Sequence, residues 1–110
     1  MGAKPLKDEN AVLKKAFEIL PNEHHENFLK AIAELEDNEC HRTRTFPHTN
    51  LHKAKGVKQN VYRAYIHKTS GWRLHLQYGE GNFIELSDIL EGQEHDNVQD
   101  VIKNRKGKYK

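Results

Sequence analysis

The first third of the chain repeats hydrophobic residues every three or four positions, which is the spacing of a helix with one buried face. Residues 8–20 contain the first such segment, and its apolar positions are Leu13, Ala16, Phe17 and Leu20. Pro21 ends this helix, since proline disrupts a helix interior, and Asn22 is then placed to cap a second helix. Residues 23–38 form that helix, with apolar positions Phe28, Ile32 and Leu35. Two helices with so short a link fold back on each other, so the pattern predicts a helical hairpin.

From Val61 onward the hydrophobic pattern changes to alternation, which is typical of strands with one buried face. Strands are predicted over 61–67, 72–78 and 83–90, with turns over 68–71 and 79–82. The side chains expected to face the helical hairpin are Tyr62, Ala64, Ile66, Trp72, Leu74 and Leu76. The opposite, open face is expected to present Arg63, Tyr65, His67, Arg73, His75 and Gln77.

The remaining segments complete the predicted fold. Residues 39–60 have weak periodicity and predict a short strand at Arg42–Phe46 and then a loop. Asp96, with Gln99 three residues later, forms a capping box that predicts a short C-terminal helix. No strand is predicted ahead of the first helix, and residues 1–7 and 106–110 are expected to be flexible tails. The chain is therefore predicted to be a single α+β domain over 1–110, in which an N-terminal helical hairpin packs on a twisted antiparallel sheet of three or four strands.

Charged residues are segregated along the chain, although the formal net charge is only +2. Residues 41–78 contain eight Lys or Arg, five of the eight histidines and no Asp or Glu. Residues 79–102 contain seven acidic residues and no basic ones. A long stretch without carboxylates concentrates positive potential, as binding to a polyanion requires. The alternative is that the acidic segments balance this stretch in space.

Other features narrow the class of protein. One cysteine, Cys40, cannot form an internal disulfide, and no apolar run approaches the roughly 20 residues that span a bilayer. The beginning of the chain lacks the apolar stretch of a secretion signal. We therefore expect a cytoplasmic protein with no membrane partner. The sequence has no Cys-x-x-Cys pair and no Gly-rich nucleotide-binding loop, so we expect neither a metal nor a small-molecule cofactor.

The predicted open face of the sheet collects side chains that suit RNA. Arg63 and Arg73 can hold phosphate in a forked geometry, and His75 titrates near neutrality, as a general acid or base must. Tyr65 offers a ring for base stacking. RNA carries its own nucleophile in the 2′-hydroxyl, so such a surface could cleave it without a metal. Each residue also has a plainer role, because the open side of an antiparallel sheet needs polar side chains to face water.

Three segments resemble the RelE/ParE toxin superfamily: Leu51-His52-Lys53-Ala54-Lys55-Gly56, Val61-Tyr62-Arg63-Ala64-Tyr65-Ile66 and Ser70-Gly71-Trp72-Arg73-Leu74-His75-Leu76-Gln77-Tyr78. They are similar to the family's Leu-x-Gly loop, its Tyr-Arg/Lys strand and its Gly-Tyr-Arg-Leu-x-Tyr strand, which follow a helical hairpin. The resemblance implies a toxin of a toxin–antitoxin pair, a metal-free endoribonuclease that cleaves mRNA on the ribosome by attack of the 2′-hydroxyl. Its implied partners are mRNA, the ribosome and a cognate antitoxin protein.

By position, the resemblance implies that Arg63 is the basic residue of the first motif strand and that Arg73 is a ligand of the transition-state phosphate. It also implies that His95 is a terminal general acid. With His75, these residues form the expected catalytic set. The residues expected to bind RNA are Lys53, Lys55, Tyr65, His67 and Lys68.

Two alternatives remain open at this point. One is a non-catalytic member of the same fold that binds RNA or, as in the ParE branch, inhibits gyrase. The other is a nuclease domain of a larger secreted toxin.

Overall fold

The helices of this computed structural model follow the predicted hairpin, with corrections at their ends. The structure describes residues 4–54, 60–79, 83–91 and 109. Within them, α1 spans Val12–Ile19 and α2 spans His25–Leu35, with a 3-10 turn at Asn22–His24 between them. The expected cap by Asn22 is wrong, because Asn22 lies inside the 3-10 turn and no side-chain cap bond forms there. The C-terminal helix predicted after Asp96 lies outside the described residues.

The first helix begins later than predicted because its start is set by Asp8 and Ala11. The Asp8 carboxylate accepts hydrogen bonds from the backbone N–H groups of Val12 and Leu13, at 2.6 and 2.9 Å. Ala11 has a φ of 54°, so it lies outside the helical conformation. These bonds satisfy two of the N–H groups that every helix start leaves without an internal partner. Residues 8–11 therefore form the entry to α1 rather than its first turn.

The strand predicted at Arg42–Phe46 is wrong. Arg42 and Thr43 end a third helix, α3, at Asn38–Thr43, and the Asp37 carboxylate caps its start by accepting from the Glu39 N–H at 2.9 Å. Arg44 follows with a φ of 58°, in the left-handed conformation that commonly ends a helix. The chain then reaches the sheet only at the short strand β2, His52–Lys53.

The sheet has five described strands instead of the predicted three or four. They are β1 (Leu6–Lys7), β2 (His52–Lys53), β3 (Tyr62–His67), β4 (Trp72–Tyr78) and β5 (Ile84–Leu90), in the order β1-β5-β4-β3-β2. The sheet is mixed, because β1 pairs parallel to β5 while the other neighbours are antiparallel. Leu6 and Lys7, expected in a tail, thus form a strand, and two residues are too few to show alternation in a sequence.

The core lies between the two long helices and one face of the sheet. Leu74 and Leu76 of β4 are fully buried there with Ala64 and Ile66 of β3, as the alternation predicts. From the helices, the buried members of this core are Val12, Ala16, Leu20, Phe28, Ala31 and Leu35. Phe17 is the exception, since 46% of it is exposed and its ring packs edge-on against Phe28 at 5.4 Å.

Candidate nucleic-acid interface

The register between β3 and β4 brings the predicted site residues together. Arg63 lies directly opposite His75, and Tyr65 lies directly opposite Arg73. Directly opposed side chains on one face of a sheet have Cβ atoms about 5 Å apart, close enough to act on one ligand. The sequence-predicted clustering of these four residues is therefore confirmed.

The expectation that this whole face is open is wrong at β4. Arg73 is only 2% exposed and His75 only 1% exposed. β4 has a strand on each side, and Tyr109 lies over it, with its hydroxyl 2.7 Å from His75 Nδ1. Tyr109 also packs against Ala54 and Val61, which form a small second cluster on this side of the sheet. Hydrophobic alternation cannot predict this cover, because it comes from a residue 34 positions along the chain from His75.

Arg73 is held in place by contacts at the end of the β3–β4 hairpin. Its Nε donates a hydrogen bond to the Gly71 carbonyl at 3.2 Å. The carbon of its guanidinium group is 5.2 Å from the centre of the Tyr65 ring, within the range of a cation–π interaction. Arg73 therefore has an identifiable structural role in addition to the phosphate-binding role that the sequence predicts.

A buried carboxylate, which sequence reasoning missed, lies next to this cluster. Asp88 of β5 is opposite His75 in the register and is fully buried. Lys15 of α1 reaches it, with Nζ 2.9 Å from Oδ1. The only signal in the sequence is that Asp88 interrupts the apolar positions of the third predicted strand. In the structure, Asp88 lies next to a register shift in the β4–β5 pairing. The predicted absence of carboxylates around His75 is thus wrong.

The outer edge of the same face remains accessible. His52 of β2 lies opposite Arg63, and its ring centre is 6.1 Å from that of Tyr65 at an interplanar angle of 35°. All three side chains are half-buried. Arg63 Nε is buried, and no described group accepts a hydrogen bond from it. We call His52, Arg63 and Tyr65 the outer-strand patch.

The structure separates the other predicted RNA-binding residues from this patch. Lys53 is exposed and pairs with Tyr62, whose ring packs on the helix side of the sheet, so Lys53 belongs to that side. His67 stacks against His24, with ring centres 4.4 Å apart, and Lys68 is exposed in the following turn. Lys55 and His95 lie outside the described residues.

No protein-family model, curated protein or solved structure matches this chain. Among the described residues, no helix is long and apolar enough to cross a membrane, and no group of three His, Cys, Asp or Glu side chains is placed to hold a metal ion.

Proposed function

We propose that the protein is an RNA-binding toxin domain of the RelE/ParE type. The observation that carries this proposal is the outer-strand patch, where the half-buried Arg63 lies opposite His52 and on the same strand as Tyr65, and the rings of His52 and Tyr65 are 6.1 Å apart. A guanidinium group binds phosphate through forked hydrogen bonds, and His and Tyr rings stack on unpaired bases. The patch therefore offers the two kinds of contact that hold single-stranded RNA.

The charge pattern and the topology support the same proposal. The patch comes from the segment 41–78, which contains eight basic residues and no acidic one. The helical hairpin precedes three antiparallel strands, as the resemblance implies, and a strand ahead of the hairpin pairs with the last of them. The partners that go with this proposal are mRNA, the ribosome and a cognate antitoxin that covers the basic surface.

Burial favours the binding function over cleavage. Arg73 and His75, two members of the expected catalytic set, lie beneath the surface. Tyr109 is hydrogen-bonded to His75, so phosphate can reach that histidine only if Tyr109 is displaced. Among the members of that set that the structure describes, Arg63 is the one that is only half-buried, beside the rings of His52 and Tyr65. We therefore propose that the RNA contacts lie at β2 and β3.

Arg63→Gln tests this proposal. We expect the substitution to weaken binding of a single-stranded RNA oligonucleotide by about 10- to 100-fold, the scale of a hydrogen bond to a charged group. The measurement is fluorescence anisotropy at low salt, where phosphate contacts contribute most. Lys14→Gln is the matched control, because it removes one positive charge from an exposed position on α1.

An equal loss of RNA affinity in Arg63→Gln and Lys14→Gln would mean that only the net charge of the protein matters, and it would overturn the proposal. Inhibition of gyrase by a protein that shows no RNA binding would instead favour the ParE-like alternative.

A specific contact favours RNA cleavage as a second candidate function. The Tyr109 hydroxyl and His75 Nδ1 form a hydrogen bond beside Arg73 and Arg63, so groups for proton transfer and for phosphate binding meet at one place. In this reaction the 2′-oxygen attacks the adjacent phosphorus and the bond from phosphorus to the 5′-oxygen breaks. The 2′-hydroxyl proton passes to a base, and the leaving oxygen receives a proton. The products are a 2′,3′-cyclic phosphate and a 5′-hydroxyl.

A further inference from the structure

A second cationic feature lies on the helix side of the sheet, away from the outer-strand patch. It is a cavity of about 430 Å³ between the start of the chain, α3 and the ends of β3 and β4. Its lining residues include Lys4, His41, Arg42, Arg44, Tyr62 and Tyr78, and none of its described lining residues is a carboxylate. This volume falls in the range of about 300–1,000 Å³ that is usual for small-molecule sites.

A hydrogen-bond chain fixes the polar side of the cavity. His41 Nε2 donates to the Leu35 carbonyl at 2.7 Å, so Nδ1 is free to accept the proton of the Tyr78 hydroxyl at 3.0 Å. Burial lowers the pKa of His41, and the charges of Lys4 and Arg44 lower it further, against the opposing effect of the Leu35 carbonyl. The neutral ring is therefore the form that this arrangement favours. Burial also raises the pKa of Tyr78, which remains a hydroxyl and directs its lone pairs toward Arg44.

The cavity also has an aromatic wall. The rings of Tyr62 and Tyr78 meet edge to face, with centres 5.0 Å apart and an interplanar angle of 87°. Lys4 Nζ is 5.4 Å from the centre of the Tyr78 ring, and burial lowers the pKa of this lysine. An anion in the cavity would stabilise the charged form of Lys4, because its negative charge would attract the ammonium group that burial has partly removed from water.

Arg42 and Arg44 contribute differently to the charge of the cavity. Arg42 forms a salt bridge with Glu39 on the exposed side of α3. Arg44 follows the helix, and its charge acts on both His41 and Tyr78 within the cavity. Lys4 lines the same cavity, and its charge also acts on His41, so Arg44 and Lys4 both place positive charge there.

We propose that this cavity binds the phosphate monoester of a nucleotide. Arg44 and Lys4 hold the phosphate, and the Tyr62 ring receives the base. A monoester carries more charge than an internal phosphodiester, so it gains more from two neighbouring cations. The site goes beyond the RNA-binding function proposed above, because the Tyr62 and Arg63 side chains lie on opposite faces of the sheet. The monoester belongs either to a free mononucleotide or to the 5′ end of an RNA.

Isothermal titration with adenosine 5′-monophosphate, adenosine and inorganic phosphate tests the site. We expect the monophosphate to bind at least about tenfold more tightly than adenosine, because only it makes charge-assisted hydrogen bonds. Arg44→Gly should lower its affinity by about tenfold or more. This variant does not strain the backbone, since Arg44 has a φ of 58°, which glycine adopts readily. A thermal melt should therefore show no loss of stability.

Lys4→Met and Arg63→Gln are two further variants that keep the result decisive. No binding of the monophosphate, or the same affinity in Arg44→Gly and in Lys4→Met as in the parent chain, overturns the proposal. Arg63→Gln should leave monophosphate binding unchanged and weaken binding of an RNA with a 5′-hydroxyl, so failure of this site and failure of the RNA-binding function give different results.

Two RNA oligonucleotides distinguish the sources of the phosphate. Tighter binding of a 5′-phosphorylated RNA than of its 5′-hydroxyl counterpart, lost in Arg44→Gly, identifies an RNA end as the ligand. Equal binding of the two RNAs, together with binding of the monophosphate, identifies a free nucleotide. Either result supports the site.

Discussion

Replacing Leu74 with alanine is expected to lower the free energy of unfolding by about 2–5 kcal/mol. Leu74 is fully buried in β4, which has a strand on each side and lies under the helices. Truncation leaves a cavity that so many fixed neighbours cannot fill, and the cost of the lost contacts adds to the cost of transferring the side chain. Urea unfolding followed by circular dichroism measures the difference.

Leu29→Ala is the matched control for this prediction. Leu29 lies on α2 and is 56% exposed, so the same chemical change should alter the unfolding free energy by less than about 0.5 kcal/mol. Similar losses in the two variants would contradict the assignment of Leu74 to a tightly packed core between the sheet and the helical hairpin.

For the cleaving candidate, His75→Ala is expected to lower the rate of RNA cleavage by about 10²–10⁴-fold, the usual contribution of a proton-transfer group. Arg73→Ala should lower it by about 10²–10³-fold, the scale of one preorganised group that stabilises a developing anion. Tyr109→Phe keeps the ring that covers His75 and removes only the hydroxyl, so it tests the hydrogen bond itself. The measurement is the appearance of 2′,3′-cyclic phosphate ends on ribosome-bound message.

His25→Ala provides the control for this experiment, because His25 lies on α2, which packs on the other side of the sheet. Cleavage that persists unchanged in all three site variants would refute the catalytic role of this cluster. Loss of cleavage only in His95→Ala would instead identify His95 as the general acid, as the family resemblance implies. Toxicity in cells without any cleavage would agree with the binding function.

Short-range patterns in the sequence predicted the main elements because each rule involves neighbouring residues. Helical spacing located α1 and α2. Alternation assigned the side chains of β3 and β4 to the two faces of the sheet, and it placed Arg63 and Arg73 on the same face. The patterns failed where an element was too short for periodicity. The two-residue strands β1 and β2 are examples, and so is α3, whose six residues carry no buried stripe.

The candidate sites show the same division. The sequence by itself determined which residues share a sheet face, because the side chains of a strand alternate whatever surrounds it. It also determined the concentration of positive charge in 41–78, which is independent of folding. Only the tertiary structure decided that Tyr109 covers His75, that Asp88 pairs opposite it in the sheet, and that Lys4 joins Arg44 and Tyr78 at one cavity. The physical reason is that burial and local charge depend on contacts between residues far apart in the chain. A local sequence pattern does not indicate which distant residues will pack against a given position.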